Sequence, residues 1–261
     1  LMHNIALRDL NLNYVYVAFD ILPENLKKAL DGIRVLNIKG INVTIPHKRK
    51  IINYLDQVDP IAKKIGAVNT IKNENGFLIG KNTDAIGAKL AIKDAHFKIK
   101  GKKVLILGAG GASRAIAFSL ASECKSITIA NRTLEKAIQL VDDLSQITEV
   151  VAKCIEFKSN IIEEVLESVD LLVNTTPIGM YPKIDDSPLP KRVLRKDLFV
   201  FDVIYNPYVT KLLHYADEMG CKTLNGLDML VNQGSVSFEW WTGVKPKKNL
   251  MKEILKRALK K

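Results

Sequence analysis

Cysteine is scarce in this chain, and long apolar runs are missing. The 261 residues include three cysteines, Cys124, Cys154 and Cys221, far apart and odd in number. That pattern excludes a disulfide scaffold, fits no metal-ligand spacing, and reads as reduced thiols of a cytoplasmic protein. The longest stretch without a formal charge, residues 171–182, contains two prolines and falls short of the ~20 apolar residues of a membrane span. The N-terminus lacks the charged and apolar regions of a signal peptide, so a soluble protein is expected. With 47% hydrophobic and 26% charged residues, the chain is neither disordered nor a collagen-like repeat. Its length suggests two domains, at roughly 100–200 residues each.

Acidic residues are the scarcer sign of charge, 28 against 39 Lys and Arg, for a net +11. Residues 245–261 hold eight basic residues and one acidic one, so +7 of that surplus sits at the C-terminal end. There Leu250, Met251, Ile254, Leu255, Ala258 and Leu259 recur at helical spacing, with lysines opposite. This reads as a packed stripe under a solvated Lys-rich face; a nucleic-acid or membrane-surface helix is the rival. The stripe has no Trp or Phe, which a membrane-lying helix usually carries. A basic protein also attracts an anionic cofactor and substrate.

The two halves differ in texture. Residues 14–19 and 40–44 read as strands, residues 23–31 as a helix, and Gly76–Ile79 as one arm of a hairpin after Asn73–Asn75. Asp84–Lys93 reads as a helix with Ile86, Leu90 and Lys93 on one side, and His96–Lys103 as a linker. Then comes Val104-Leu105-Ile106-Leu107, the continuous apolar run of a strand buried on both faces. After it, helices at 113–121, 134–144, 161–168 and 210–220 alternate with strands at 127–130, 150–155, 171–174 and 198–202. That rhythm predicts parallel strands with crossover helices, a doubly wound sheet.

Gly108-Ala109-Gly110-Gly111-Ala112-Ser113-Arg114 follows the buried strand directly and opens a helix, as a dinucleotide loop requires. Glycines allow the sharp turn and let a pyrophosphate approach the backbone N–H groups and the helix N-terminus. The pattern departs from G-x-G-x-x-G in ending on Ser113. About 20 residues later an NAD site places a carboxylate for the ribose hydroxyls. Here Asn131-Arg132-Thr133 stands instead, with Lys136 one helical turn on. Arginine suits a 2′-phosphate, so NADP is preferred over NAD.

Three segments of the first half put polar groups beside turn residues: Asn42–Lys48, Gly66–Thr70 and Gly80–Asp84. Together they supply hydroxyl, amide, ammonium and carboxylate groups, a set suited to a small polyhydroxylated substrate. By spacing alone Lys48 and Asp84 read as solvated surface charges, and Asn69 and Thr83 serve equally as turn or cap residues.

Eight segments in order resemble the motifs of the shikimate dehydrogenase family. They are Gly40–Lys48, Gly66–Thr70, Asn82–Asp84, Gly108–Arg114, Asn131–Thr133, Val173–Met180, Asp202–Pro207 and Asn225–Gly234. The resemblance implies an α/β protein of two domains: an N-terminal substrate domain, residues 1–97, and a Rossmann-type NADP-binding domain, residues 98–228. The C-terminal helices, within 229–261 (Met229–Trp241 and Asn249–Lys260), would return to the first domain. It implies an NADP-dependent enzyme that reversibly reduces 3-dehydroshikimate to shikimate in aromatic amino-acid synthesis. By motif, Lys48 is the catalytic lysine and Asp84 its carboxylate partner, while Thr44, Asn69, Tyr205 and Gln233 contact substrate. Gly108, Ala109, Gly110, Gly111 and Ala112, with Asn131, Arg132, Thr133 and Lys136, would hold the cofactor's phosphates and adenosine ribose. Val203 and Gly226 would lie near the nicotinamide.

The family begins with a strand and a Ser-x-Ser-Pro segment whose hydroxyls hold the substrate carboxylate. Leu1-Met2-His3-Asn4 matches the residues just after that proline, so the expectation is that the true N-terminus lies upstream of this sequence. A quinate/shikimate dehydrogenase is the nearest rival, and a non-catalytic nucleotide-binding regulator the rival of another class. A regulator has no need of both Lys48 and Asp84. The expected partner is the small substrate, without metal, nucleic acid or membrane; monomer and homodimer stay equally open.

Overall fold

A computed structural model describes residues 1–259. The chain opens with α1 (Met2–Asp9), then a 3-10 turn at Pro23–Asn25 that leads into α2 (Leu26–Val35). Next come β1 (Gly40–Asn42), β2 (Gln57–Val58), α3 (Pro60–Ile65), β3 (Thr70–Glu74) and β4 (Phe77–Lys81). Helix α4 (Thr83–Asp94) leads to β5 (Lys103–Leu107), α5 (Gly111–Leu120), β6 (Ser126–Asn131), α6 (Leu134–Ser145) and β7 (Val151–Glu156). The series ends with α7 (Ser159–Leu166), β8 (Leu171–Asn174), β9 (Phe199–Asp202), α8 (Lys211–Glu218), β10 (Lys222–Asn225), α9 (Gly226–Thr242) and α10 (Lys248–Leu259).

Two compact units result. Leu1–Gly87 and Val231–Arg257 form the first; Ala88–Leu230, joined by Ala258 and Leu259, forms the second. The division falls inside α4, ten residues before the 97/98 boundary read from sequence. The basic segment is therefore not the boundary: Ala88, Ala91 and Ile92 of α4 already belong to the second unit's core. Ile86, Leu90 and Lys93 do share one side of the helix, the one turned toward solvent. Its buried side carries alanines, and Ile86 and Lys93 are exposed.

The first unit has a four-stranded sheet in the order β1-β3-β4-β2. Strands β3 and β4 form the expected hairpin, antiparallel with Thr70 opposite Lys81 and turning at Asn75-Gly76, both with positive φ. Leu30, Ile51, Ala62, Ile71 and Leu78 fill its core. Helix α3 has explicit signals: Asp59 accepts from the N–H groups of Ile61 and Ala62, Pro60 follows, and Gly66 closes the end at φ 69°. Residues 14–19 correct a strand expectation, because they join no sheet. Asn4 takes up both backbone groups of Tyr16, donating to its carbonyl at 2.9 Å and accepting its N–H at 2.7 Å.

The second unit is a six-stranded sheet in the order β10-β9-β8-β5-β6-β7, parallel throughout. Alternate residues of the apolar run serve two cores: Val104 and Ile106 face one, Leu105 and Leu107 the other. Helices cover both faces, the doubly wound α/β arrangement expected. The order reverses between β5 and β8, the position at whose carboxyl edge such sheets bind ligands. Strand β10 was not legible as one, being a short edge strand of Lys-Thr-Leu-Asn. Among the described residues, no helix is long and apolar enough to cross a membrane.

Helices α9 and α10 bring 231–257 into the first unit. Trp241 donates to the Ile71 carbonyl at 2.9 Å, Lys247 pairs with Asp9 at 3.0 Å, and Met251 is buried. Of the expected apolar stripe of α10, Met251 is buried, Leu250, Ile254, Leu255 and Leu259 are half-buried and Ala258 is exposed; Lys260, which the sequence reading included, lies outside the described residues.

His3 sits buried among Tyr16, Phe238 and Trp241, with centroids 4.5, 6.2 and 5.5 Å away. Burial pushes its pKa down from 6.5 to about 4. The unfolded chain therefore binds a proton that the folded one refuses, so His3's neutral packing is undisturbed above about pH 6.5 and penalised as pH falls toward 4. Both tryptophans lie in α9 and report this unit's unfolding. Urea titrations followed by tryptophan fluorescence should show His3→Leu with a flatter acid limb than the parent; identical limbs would refute this role.

Candidate active site

In the first unit the loop after β1 carries Lys48, whose backbone is pinned where Val68 N–H donates to its carbonyl at 2.8 Å. Asn82 starts α4: its Oδ1 accepts from Ala85 N–H at 3.0 Å and its Nδ2 donates to the Ala67 carbonyl at 3.0 Å. That cap places Asp84 in the first helical turn, where the helix dipole favours a carboxylate. Lys48 Nζ donates to Asp84 Oδ2 at 2.6 Å, with the two side chains only 20% and 12% exposed. Asn69 holds the other oxygen, its Nδ2 lying 2.9 Å from Asp84 Oδ1, while its Oδ1 accepts from Thr83 N–H at 2.7 Å. Gln233 of α9 joins the same cluster, its Oε1 3.4 Å from both Asn69 Nδ2 and Thr83 Oγ1.

Behind these lies a layer that sequence reasoning missed. The hydroxyls of Thr70, Thr83 and Ser237 lie 2.9–3.0 Å from one another. Asn42 Nδ2 donates to Thr70 Oγ1 at 3.1 Å, and its Oδ1 accepts from the Tyr16 hydroxyl at 2.9 Å. The one available signal was the helical spacing of Gln233 and Ser237, two of several polar residues in this stretch. The layer ties β3, α4 and α9 together and fixes the amide of Asn69. Thr44 stands exposed four residues before Lys48 in the same loop.

The cofactor residues expected from sequence belong to the second unit. Gly108, at φ 106°, continues β5, and its N–H donates to Ala130 O at 2.7 Å beside Asn131. A Cβ there would stand 2.5 Å from Thr175 Oγ1. Gly110 is exposed, with open space where a side chain would be, and begins α5 with no side-chain cap and no acidic residue in the first turn. The uncapped N–H groups of Gly111 and Ala112, beside Ala109, therefore fit a pyrophosphate. Arg132 and Thr133 are exposed where β6 ends, Asn131 Nδ2 donates to the Thr133 carbonyl at 2.7 Å, and Lys136 follows in α6. Neither Arg132 nor Lys136 has an ion-pair partner among the described residues, which leaves two cations for a 2′-phosphate.

Val203 and Gly226, at the carboxyl edge of β9 and β10, are in backbone contact: a Cβ on Gly226 would lie 1.9 Å from the Val203 carbonyl oxygen. Only glycine permits that approach. Tyr205, in the same loop as Val203, is 43% exposed. The structure thus brings Lys48, Asp84, Asn69 and Gln233 together in one unit, and sets the glycine turn, Arg132, Val203, Tyr205 and Gly226 along one sheet edge in the other.

Comparison with known proteins gives consistent matches. Family models match for the shikimate dehydrogenase substrate binding domain (residues 1–71), shikimate/quinate 5-dehydrogenase (89–207) and the shikimate 5′-dehydrogenase C-terminal domain (226–256). A shikimate dehydrogenase (NADP(+)) from Methanocaldococcus jannaschii is 50% identical over 257 residues, which is 98% of this chain and 90% of that protein. A crystal structure of a shikimate dehydrogenase in complex with NADP+ superimposes with TM-score 0.93 at 48% identity, covering 100% of this chain and 90% of the other. The Thermus thermophilus shikimate 5-dehydrogenase in complex with NADP(H) and shikimate gives TM-score 0.88 at 36% identity, over 99% and 93% of the two chains.

Proposed function

Because the chain belongs to the shikimate dehydrogenase family, we propose that it reversibly reduces 3-dehydroshikimate to shikimate with NADPH as reductant. The observation that carries this reading is the Lys48–Asp84 pair, 2.6 Å apart at the centre of a hydrogen-bonded polar cluster. When bound, NADPH supplies a hydride to the ketone carbon, and negative charge grows on the ketone oxygen. Lys48 stabilises that charge and delivers a proton to the oxygen. Asp84 aims the ammonium and accepts a hydrogen bond from a neighbouring substrate hydroxyl, while Asn69, Thr44, Gln233 and Tyr205 hold the remaining polar groups.

In the second unit, Gly108–Ala112 hold the pyrophosphate, and Asn131, Arg132, Thr133 and Lys136 hold the adenosine ribose with its 2′-phosphate. Val203 and Gly226 line the nicotinamide. The three cysteines are unpaired thiols, which suits a cytoplasmic enzyme.

Two substitutions test the two halves of the reading. Removing a positioned acid–base group typically loses ~10²–10⁴ in rate. Lys48→Ala should lower kcat for NADP+-dependent shikimate oxidation by that much and leave the Kd for NADPH within about twofold; kcat within a few-fold of the parent would reject the assignment. Quinate in place of shikimate, read by the same NADPH absorbance, separates the nearest rival. Arg132→Ala should weaken NADPH by roughly tenfold or more and NADH hardly at all, because only NADPH carries the 2′-phosphate. Equal losses for both dinucleotides would remove Arg132 from phosphate recognition.

A further inference from the structure

Ser237 lies in the middle of α9 with no exposed surface, and the reaction outlined above gives it no task. Gln233, Ser237 and Trp241 are spaced four residues apart and so share one stripe of the helix. The stripe meets three successive residues at the start of β3. Gln233 Oε1 lies 3.4 Å from Asn69 Nδ2, Ser237 Oγ lies 2.9 Å from Thr70 Oγ1, and Trp241 Nε1 donates to the Ile71 carbonyl at 2.9 Å. Trp241 seats so closely that any Cβ on Gly40 would overlap its indole. At the other end of the stripe Gln233 reaches the cluster around Asp84, through Asn69.

Ser237 uses its whole hydrogen-bonding capacity. Its hydroxyl donates to the Gln233 carbonyl at 3.0 Å, which leaves two lone pairs for the hydroxyls of Thr70 and Thr83. Thr70 is fixed in turn by Asn42 Nδ2 at 3.1 Å, and Asn42 by the Tyr16 hydroxyl at 2.9 Å. A side chain that only filled this space would be alanine, which carries no hydroxyl to take out of water. Apolar contacts are non-directional and tolerate a helix that slides or turns slightly. Hydrogen bonds to two fixed hydroxyls do not, and setting register is the best-attested use of a buried polar group. We propose that Ser237 is a positioning residue: it sets the register of α9 on β3 and so holds Gln233, one helical turn away, in place to meet substrate. This rests on the reading that Gln233 contacts substrate.

The test is a double-mutant cycle in the KM for shikimate, with NADP+ saturating. Gln233→Ala removes a hydrogen bond made equally to substrate and transition state, so KM should rise roughly tenfold with kcat within about threefold of the parent. Ser237→Ala should raise KM roughly fivefold in the parent, and by less than about twofold in the Gln233→Ala background. Effects that multiply, or an unmoved KM in Ser237→Ala, overturn the proposal. Phe238→Leu trims buried packing of the same helix and leaves every hydroxyl in place, so its KM should stay near the parent's. A rise there equal to that of Ser237→Ala would make packing the cause and also overturn it. If Ser237→Ala does not fold, Thr70→Val removes the same hydrogen bond from the β3 side and carries the same comparison. Absence of shikimate-dependent NADPH formation by the parent refutes the proposed function. An unmoved KM in Gln233→Ala removes Gln233 from substrate binding and this inference with it, whereas a rise in Gln233→Ala without one in Ser237→Ala refutes the inference alone.

Discussion

An ammonium and a carboxylate from positions 36 residues apart meet at 2.6 Å inside a polar cluster, and the architecture of the first unit is what holds them there. Such a pair is not a stability device. Taking both charges out of water costs about as much as their attraction returns, and apolar side chains of similar size would serve packing as well or better. Its surroundings are correspondingly elaborate. Asn82 starts the helix that presents Asp84, Asn69 occupies the second carboxylate oxygen, and a triangle of hydroxyls fixes Asn69. Each link removes a freedom that would let Lys48 swing toward solvent.

The second unit solves a different problem with different physics. A parallel sheet lined on both faces by Val, Leu and Ile is rigid and unreactive, and its strands deliver every turn of interest to one edge. Along that edge the chain leaves helix N–H groups uncapped at Gly110–Ala112 and two cations unpaired at Arg132 and Lys136. It also crowds backbone against backbone at Val203 and Gly226. Free helix N–H groups and exposed positive charge of this kind suit phosphates. The family's activity asks for that division of labour: one unit moves a proton, the other holds a dinucleotide.

Much of this was legible in the sequence because it is local. Val104–Leu107 followed at once by Gly108–Arg114 encodes strand, turn and helix within a dozen residues, and the doubly wound sheet follows from the repeat of that rhythm. What stayed hidden depends on partners distant in the chain. Residues 14–19 have the aromatic and β-branched composition of a strand, yet Asn4 takes up the backbone groups of Tyr16. Helix α4 turns Ala88, Ala91 and Ile92 into the second unit's core and leaves Ile86 exposed. Ser237 and Thr70 are ordinary small polar residues until α9 lies against β3. By spacing alone Lys48 and Asp84 read as solvated surface charges; the family motifs single them out, and the fold brings them together.

The most direct test of the central claim is a double-mutant cycle across the pair. Lys48→Met, Asp84→Asn and the double variant would be compared by kcat for NADP+-dependent shikimate oxidation. Groups that act as a unit lose their effect together, so the double variant should be no more than about threefold slower than the slower single variant. Losses that multiply, as for two independent residues, would contradict the account.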